Sequence, residues 1–278
     1  MFIMVSSMEE KTILELQQEL KRLKRAQVRI KRKFTFLLSI IAMLVLITAT
    51  LAWFTLSNFA SVNEINLKIS TAPELYLDIE NRGTDVTQWK KVLTNDMINQ
   101  YLTSVNAPRL EDQILDPVTS SNGISFTNRS GVTREANNTT YLEYKVWFIA
   151  TTDMWVHLSG DTVQVENEDA TTAVSTTETG GKADIVRAIR CSYEDNGTAA
   201  IYEPNKGGAV AGQTTFDVST SLSNDTRIFH LDKLEPKQIT FRTWLEGEDP
   251  EGDDDVQDAN VTIQMLFAGT DDNNSLFE

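Results

Sequence analysis

Cysteine and histidine are scarce in this chain of 278 residues, which contains one cysteine and two histidines. A single thiol cannot form an internal disulfide, so the fold must be stable without covalent cross-links. Cys191 has the apolar neighbours Ile189 and Tyr193 two residues away on either side. This alternation predicts a buried strand position and an inert thiol. Pairing with the cysteine of a second chain is the alternative.

Sequence motifs for catalysis are also missing. His157 and His230 lie in apolar, strand-like runs (MWVHL and RIFHL), which is typical of core or strand-surface histidines, and neither belongs to a His-Glu-x-x-His motif. The chain has no Gly-x-Ser-x-Gly motif, no phosphate-binding Gly-Lys-Ser/Thr loop and no cysteine cluster. We therefore expect a protein that is not an enzyme, without catalytic or cofactor-binding residues and without an identifiable small-molecule substrate.

Ionised side chains are absent from residues 34–63, and residues 34–56 form a continuous hydrophobic run. About 20 apolar residues are needed to cross a bilayer core, so the run predicts a transmembrane helix or a cleaved signal segment. A buried core helix is the alternative. Trp53 and Phe54 at the end of the run fit the lipid headgroup boundary.

The charges on either side of this run differ in sign. Eight Lys and Arg residues lie within 21–33, directly before it. Because positive flanks stay in the cytoplasm, we expect a single-pass protein of the cell membrane with a cytoplasmic N-terminus and an extracellular C-terminal domain, or a cleaved and secreted one. Residues 1–55 carry a net charge of +5 and the whole chain −15, which leaves −20 for the remainder. So acidic a domain argues against nucleic acid as its ligand.

The segment before the hydrophobic run has a helical period, with apolar residues three and four apart and Gln27 as an interruption. The seam residues are Ile13, Leu16, Leu20, Leu23 and Ile30. Three interpretations stay open: a coiled coil that pairs two cytoplasmic tails, a basic amphipathic helix on the inner leaflet, or a plain extension of the transmembrane helix. The first interpretation would make the protein self-associate.

After residue 57, apolar residues alternate with polar ones, which predicts β-strands. The predicted strands are 64–70, 75–79, 141–150, 154–159, 185–193, 198–202, 215–218, 228–231, 239–245 and 261–267. We expect a strand end and a short helix within 88–102, a polar loop over 116–134 and a mobile, low-complexity loop over 166–181. The strands 141–150 and 154–159 are expected to form a hairpin. Many short strands with hardly any helix predict a mainly β, antiparallel β-sandwich of Greek-key or jelly-roll type.

The densest acidic cluster lies in the loop 247–260, GEDPEGDDDVQDAN. Calcium prefers carboxylate oxygens, so this loop is a candidate for a weak calcium site, although it lacks the residue order of an EF-hand. The candidate ligands are Asp249, Asp253, Asp255 and Asp258. A solvated hairpin loop is the alternative. No other cofactor is expected.

Three short blocks resemble known surface proteins. The segment ATLAWFTLSNF, residues 49–59, resembles the export segments of the TasA/camelysin group, which are exported proteins of Gram-positive bacteria processed by a dedicated signal peptidase. YLEYKVWF followed by WVHLSG, and later FRTWLEGEDPEG, are similar to recurrent blocks of related Firmicutes surface proteins. Two features depart from the group: the charged N-terminal helix is longer than the n-region of an ordinary signal peptide, and Leu56 stands where the group often has an acidic or polar residue.

The resemblance implies a jelly-roll subunit that polymerises into extracellular matrix fibres. In that group, an N-terminal strand freed by cleavage completes the sheet of the next subunit. The corresponding strand here would be 64–70, whose Ile65, Leu67 and Ile69 would fill the groove of a neighbour.

These patterns divide the chain into a cytoplasmic helix (1–33), a transmembrane or signal segment (34–56) and an exported acidic β-sandwich (57–278). We expect an exported or membrane-anchored structural protein that assembles into surface fibres or biofilm matrix by strand donation. The alternative is a single-pass membrane protein with a partner-binding ectodomain and a dimerising cytoplasmic helix.

Overall fold

The computed structural model describes residues 21–22, 31, 35–36, 38–41, 43, 60–70, 74–137, 140–205, 209–218, 227–252 and 254–271. The chain divides into two compact units, Met1–Leu56 (unit 1) and Ser57–Glu278 (unit 2).

The described residues of unit 1 are helical. Two of its hydroxyls bond to the preceding helical turn: Thr35 Oγ1 donates to the carbonyl oxygen of Lys31 at 2.9 Å, and Ser39 Oγ to that of Thr35 at 3.0 Å. No helix among the described residues is both long and apolar enough to span a membrane. Most of the run 34–56 falls outside the described residues. So do all the predicted seam residues, Ile13, Leu16, Leu20, Leu23 and Ile30.

Most of unit 2 is built from two six-stranded sheets. Sheet 1 contains β1 (Ser61–Ile69), β3 (Val92–Leu93), β7 (Met154–Leu158), β10 (Ala173–Ser175), β14 (Phe229–Leu231) and β16 (Asn260–Thr270). Sheet 2 contains β2 (Leu75–Asp78), β6 (Leu142–Ala150), β11 (Ile189–Asp195), β12 (Thr198–Tyr202), β13 (Thr215–Phe216) and β15 (Lys237–Leu245). The strand order is β14-β7-β16-β1-β3 in sheet 1, where β10 also pairs with β16, and β13-β12-β11-β15-β6-β2 in sheet 2.

Smaller elements connect these strands. Two short hairpins are formed by β4 (Phe126–Thr127) with β5 (Thr133–Arg134) and by β8 (Val163–Val165) with β9 (Glu168–Ala170). The described residues of unit 2 include the α-helices α1 (Asn95–Ser104) and α2 (Ile185–Ala188). Short 3-10 helices cover Val86–Gln88, Leu110–Asp112, Gly180–Asp184 and Asp254–Val256.

The two large sheets share one hydrophobic core. The ring of Phe148 on β6 lies 5.0 Å from the ring of Phe229 on β14 and 5.4 Å from that of Phe267 on β16, between ring centroids. Phe241 on β15 lies 5.8 Å from Phe267. These contacts join side chains of sheet 2 to side chains of sheet 1. The described part of unit 2 is therefore mainly β, with two mixed sheets around a common core, which is consistent with a β-sandwich.

The alternating patterns predicted strands correctly where they were long and regular. On β6 the side chains of Leu142, Tyr144, Val146 and Phe148 are fully buried, as an inward face requires. The expected strand 198–202 coincides with β12, and the short helix expected within 88–102 is α1.

The expectation of purely antiparallel sheets is wrong for two strand pairs. β1 pairs in parallel with β16, and β12 pairs in parallel with β13. Alternation along a strand specifies which side chains are buried but not the direction of the neighbouring strand. The parallel pair β1–β16 joins the first and last strands of the described domain, so no local turn signal precedes it.

The hairpin expected between 141–150 and 154–159 is wrong. β6 belongs to sheet 2 and β7 to sheet 1, so residues 151–153 carry the chain across the core. The N–H of Thr151 donates to the carbonyl oxygen of Glu74 at 2.9 Å, and Asp153 Oδ1 accepts the N–H of Lys233 at 2.8 Å. β15 and β16 also lie in different sheets, so the acidic loop between them is not a hairpin loop. Two consecutive strands that face each other across a core each bury one face, and so do the two strands of a hairpin that covers a core. Their alternating sequence patterns are therefore the same.

The loop predictions are wrong in part. Residues 166–181 contain β9, β10 and the start of a 3-10 helix, and the polar stretch 116–134 contains β4 and β5. Glu166 and Asn167 both have positive φ (52° and 69°), as the two-residue turn of a tight hairpin requires, and they join β8 to β9. The strand expected over 185–193 begins with the helix α2 instead.

Candidate functional site

The proposed donor strand, β1, is an interior strand of sheet 1, with β16 on one side and β3 on the other. Its residues Ile65, Leu67 and Ile69 are at most 1 % exposed and belong to the shared hydrophobic core. The alternation of apolar residues therefore identified the inward face of this strand correctly. In this structure they occupy the groove of their own chain.

One edge of β1 is paired along its whole length with β16. The parallel register runs from Ser61 opposite Asn260 to Ile69 opposite Phe267. It shifts between Val62 and Glu64, as in a β-bulge that gives β1 one extra residue. Because the first and last strands of the domain are neighbours, the closed sheet depends on the N-terminal strand being in place.

The other edge of β1 is satisfied by several different elements. β3 pairs with Leu67 and Lys68. Ala60, just before β1, exchanges two backbone hydrogen bonds with Leu115, at 3.1 and 2.7 Å. Between these points the N–H of Ile65 donates to Oδ1 of Asn95, the first residue of α1, at 2.8 Å. A groove without β1 would leave these backbone and side-chain groups without their partners, which is costly in a buried site.

The outer face of β1 is covered by the β8–β9 hairpin. Lys68 is 5 % exposed, and its Nζ donates to Glu168 Oε2 on β9 at 2.9 Å. This hydrogen bond, together with the charge of Lys68, lowers the pKa of Glu168. The hairpin thus places a carboxylate over the only basic residue of the strand. Glu168 lies in the stretch whose composition predicts a low-complexity loop, so the sequence contains no signal that points to this residue.

The acidic loop is held to the domain by a buried ion pair. Arg190 is fully buried; its Nη2 contacts Asp249 Oδ2 and lies 3.1 Å from Glu203 Oε1. Burial alone would raise the pKa of Asp249, but hydrogen bonds with Glu251 and the charge of Arg190 lower it. Gly252 packs so closely that a Cβ there would lie 2.6 Å from the carbonyl oxygen of Glu246. Asp249, a candidate calcium ligand, therefore has a structural partner.

Two of the other candidate calcium ligands lie at the surface. Asp255 and Asp258 are exposed, and Asp258 has a positive φ of 59°. Asp253 falls outside the described residues. Within the described ranges, no group of three or more His, Cys, Asp or Glu side chains has the geometry to hold a metal ion. A calcium site in this loop stays a prediction.

Both histidines and the cysteine lie on strands, as expected. His157 on β7 is 2 % exposed, and burial lowers its pKa. The His230 ring lies 5.0 Å from that of Trp155, and its Nδ1 is 3.3 Å from Asp232 Oδ1. The Cys191 thiol is buried, and burial raises its pKa to about 12, so the thiol is unreactive at neutral pH.

Comparisons with protein-family models, with curated proteins and with solved structures returned no match to this chain.

Proposed function

We propose that this chain is an exported or membrane-anchored structural protein that assembles into extracellular surface fibres or biofilm matrix by donating β1 to the next subunit. The observation that carries the proposal is the position of β1. It is the first strand of unit 2, it lies in the interior of sheet 1, and it pairs with the last strand. Such a strand can be supplied by another copy in the same register, because the groove recognises it on both edges and on both faces.

Strand exchange preserves most of the energy of the closed fold. Withdrawing Ile65, Leu67 and Ile69 from the core costs about 1.5–3 kcal/mol for each side chain, and insertion into an identical groove recovers the same amount. The closed and the exchanged forms are therefore close in free energy, so full-length chains can exchange strands, and cleavage before β1 would add a free end that is easier to donate. Residues 70–74, between β1 and β2, are five residues with a maximum reach of about 17 Å, so donor and acceptor would be immediate neighbours.

The proposal includes membrane insertion through residues 34–56 and a jelly-roll connectivity for unit 2. Apolar side chains of the described helical residues in unit 1 are strongly exposed, and they point in several directions around the helix. They are Phe36, Leu38, Ile40, Ile41 and Met43, each at least 42 % exposed. The hydroxyls of Thr35 and Ser39 bond to the helix backbone, as polar groups do in a lipid environment. Both features support a helix with lipid around it.

Site-specific cross-linking tests the exchange. Glu64 on β1 lies opposite Thr262 on β16, and both side chains are half-buried. Two single variants, Glu64→Cys and Thr262→Cys, are made in full-length chains carrying tags of different size, mixed in detergent and treated with a short bifunctional maleimide. Strand donation predicts a covalent heterodimer. The native thiol of Cys191 is buried and does not react.

Two controls separate exchange from random contact. Thr133→Cys places an exposed thiol on β5, away from β16 in the strand pairing, and should give no heterodimer with Thr262→Cys. The double variant Glu64→Cys/Thr262→Cys should cross-link within one chain. An internal cross-link without any heterodimer from the mixed single variants contradicts strand donation.

That contrary result would favour the alternative, a single-pass membrane protein with a partner-binding ectodomain and a dimerising cytoplasmic helix. One observation supports it: β1 occupies the groove of its own chain, so the described domain has a complete sheet 1. A closed domain of this kind has no need of a second copy. Self-association would then depend on the predicted seam of the N-terminal helix.

A further inference from the structure

The β8–β9 hairpin lies across β1 without being part of its sheet. Val165 and Ala170 of the hairpin pack on Leu266 of β16, and Val92 of β3 packs against the same apolar cluster. Because β1 lies between β16 and β3, the hairpin crosses the outer face of β1. The side chain of Lys68 is buried at this crossing and pairs with Glu168.

The hairpin is attached to β16 independently of β1. The carbonyl oxygen of Leu266 accepts a hydrogen bond from the N–H of Ser159 at 2.8 Å. The N–H of Leu266 donates to Oγ1 of Thr172 at 3.0 Å. β10, which follows the hairpin, pairs with residues 262–264 of β16. These contacts do not involve β1, so the hairpin and its carboxylate would stay with the groove when β1 leaves.

We infer that Glu168 determines which strand the groove accepts, and that the accepted strand is β1 of a second copy of this chain, with its Lys68 beneath the β8–β9 hairpin. The inference rests on the proposed strand exchange and names the residue pair that makes the exchange specific. A buried ammonium needs a carboxylate partner, and a groove that offers a carboxylate disfavours an acidic side chain at this position. The attraction of Lys68 and the rejection of an acidic side chain together make the groove specific for β1.

The same pair specifies the register of the inserted strand. Side chains of β1 point outward at every second position, where Glu64, Asn66 and Lys68 follow one another. A strand shifted by two residues would keep two of the three inward apolar side chains, would bring Asn63 or Thr71 to the third inward position, and would place Asn66 or Ser70 beneath Glu168. Neither residue carries a positive charge. The ion pair thus acts together with the inward apolar face to distinguish the correct register from these shifted ones.

A charge-exchange experiment tests the inference with the full-length chain in detergent. Two donors, each with Glu64→Cys, carry Lys68 or Lys68→Glu and differ in tag size. Two acceptors, each with Thr262→Cys, carry Glu168 or Glu168→Lys. Both donors compete for one acceptor, and the two cross-linked heterodimers are quantified. Glu168 is 75 % exposed at its side chain, so the acceptor variant should fold.

The expected result is an inverted preference. The Glu168 acceptor should give more heterodimer with the Lys68 donor. The Glu168→Lys acceptor should give more heterodimer with the Lys68→Glu donor. The ratio of heterodimer yields should change by about tenfold or more between the two acceptors, since like charges in close contact at an interface are strongly unfavourable. Comparing ratios removes any difference in how readily each donor releases its own strand.

The controls distinguish the two hypotheses. A donor with Lys233→Glu in place of Lys68→Glu has the same change in charge at an exposed site. Its heterodimer yield relative to the unaltered donor should be the same with both acceptors. Heterodimers whose ratio is the same for both acceptors would overturn the inference while the exchange itself stands. If the Lys68→Glu donor does not fold, a Lys68→Met donor replaces it. The Lys68→Met donor should then give less heterodimer than the Lys68 donor with the Glu168 acceptor, and this difference must disappear with the Glu168→Lys acceptor. Absence of every heterodimer would overturn the proposed function and this inference with it.

Discussion

Two buried cations of this domain are paired with carboxylates from distant parts of the chain. Arg190 on β11 contacts Asp249 in the acidic loop, and Lys68 on β1 contacts Glu168 on β9. A buried charge is tolerated only when it is paired and hydrogen-bonded. Both carboxylates lie in segments whose composition is typical of solvated loops, so two apparently unspecific acidic stretches contain residues with defined structural partners.

His157 differs from these residues because it is buried without such a partner. The side chain is 2 % exposed, and neither ring nitrogen has a hydrogen-bond partner in the described part of the chain. Burial lowers the pKa of His157 below its ordinary value of 6.5, and the positive charge of Arg227 lowers it further. The folded domain thus favours the neutral imidazole.

We predict that His157 makes the domain less stable in mild acid. Below about pH 6.5 the unfolded chain binds a proton at His157 before the folded chain does, so the free energy of unfolding falls as the pH drops toward the lowered folded pKa. His157→Gln should remove this part of the pH dependence. Urea unfolding at several values between about pH 5 and 8 measures it.

His230→Gln is the matched control for this measurement, because His230 lies on the strand next to β7 but is 31 % exposed at its side chain. The His230→Gln variant should keep the native dependence of the free energy of unfolding on pH. An unchanged slope in His157→Gln would contradict the prediction.

At the scale of single elements, β1 contributes to the fold in two ways. Its inward side chains fill the core between the sheets, and its backbone joins β16 to β3. An interior strand at the N-terminal end of a domain is connected to the remaining fold only at its C-terminal end. This combination makes β1 essential for a complete sheet 1 and, in the proposed assembly, the strand that another copy would supply.

We predict that Leu67→Ala lowers the free energy of unfolding by about 2–5 kcal/mol, because Leu67 is completely buried and its truncation leaves a cavity. Asn66→Ala, its neighbour on the outward face, should change stability by no more than about 0.5 kcal/mol. Urea denaturation of both variants, followed by tryptophan fluorescence, measures the difference. Equal and small effects of the two substitutions would mean that β1 is not inserted in the closed sheet in solution.

At the scale of the whole molecule, the division at residue 56 separates two chemically different parts. Unit 1 contains the basic segment and the hydrophobic run, whereas unit 2 is acidic and mainly β. β1 begins at Ser61, five residues after unit 1 ends. Cleavage near this division would release β1 with a free N-terminus, and without cleavage the strand would remain tethered to the preceding segment.

We predict that the mature protein on the surface of a Gram-positive host has its N-terminus between about Ala52 and Val62. Such a terminus would remove most or all of the hydrophobic run and leave Ile65, Leu67 and Ile69 available for donation. Mass spectrometry of the intact surface protein measures the terminus, with the unprocessed chain from the membrane fraction as control. A surface protein that begins at Met1 or Met8 would contradict cleavage-dependent assembly.

The local alternation of apolar residues was sufficient to predict most strands and the inward face of β1. Burial of every second side chain is a property of one strand against one core, so Tyr144, Val146 and Phe148 identify their strand without knowledge of its neighbours. The buried strand position of Cys191 followed from the same reasoning.

The pairing of strands was decided only by the tertiary structure. β6 and β7 have the sequence pattern of a hairpin but belong to facing sheets, and β1 pairs in parallel with a strand about 200 residues away. The partners of Lys68 and Arg190 are 100 and 59 residues distant. The sequence by itself determined which side chains avoid water, because that depends on each residue and its nearest neighbours. Which strand or charge lies beside which depends on how the whole chain closes around one core, and only the tertiary structure decided it.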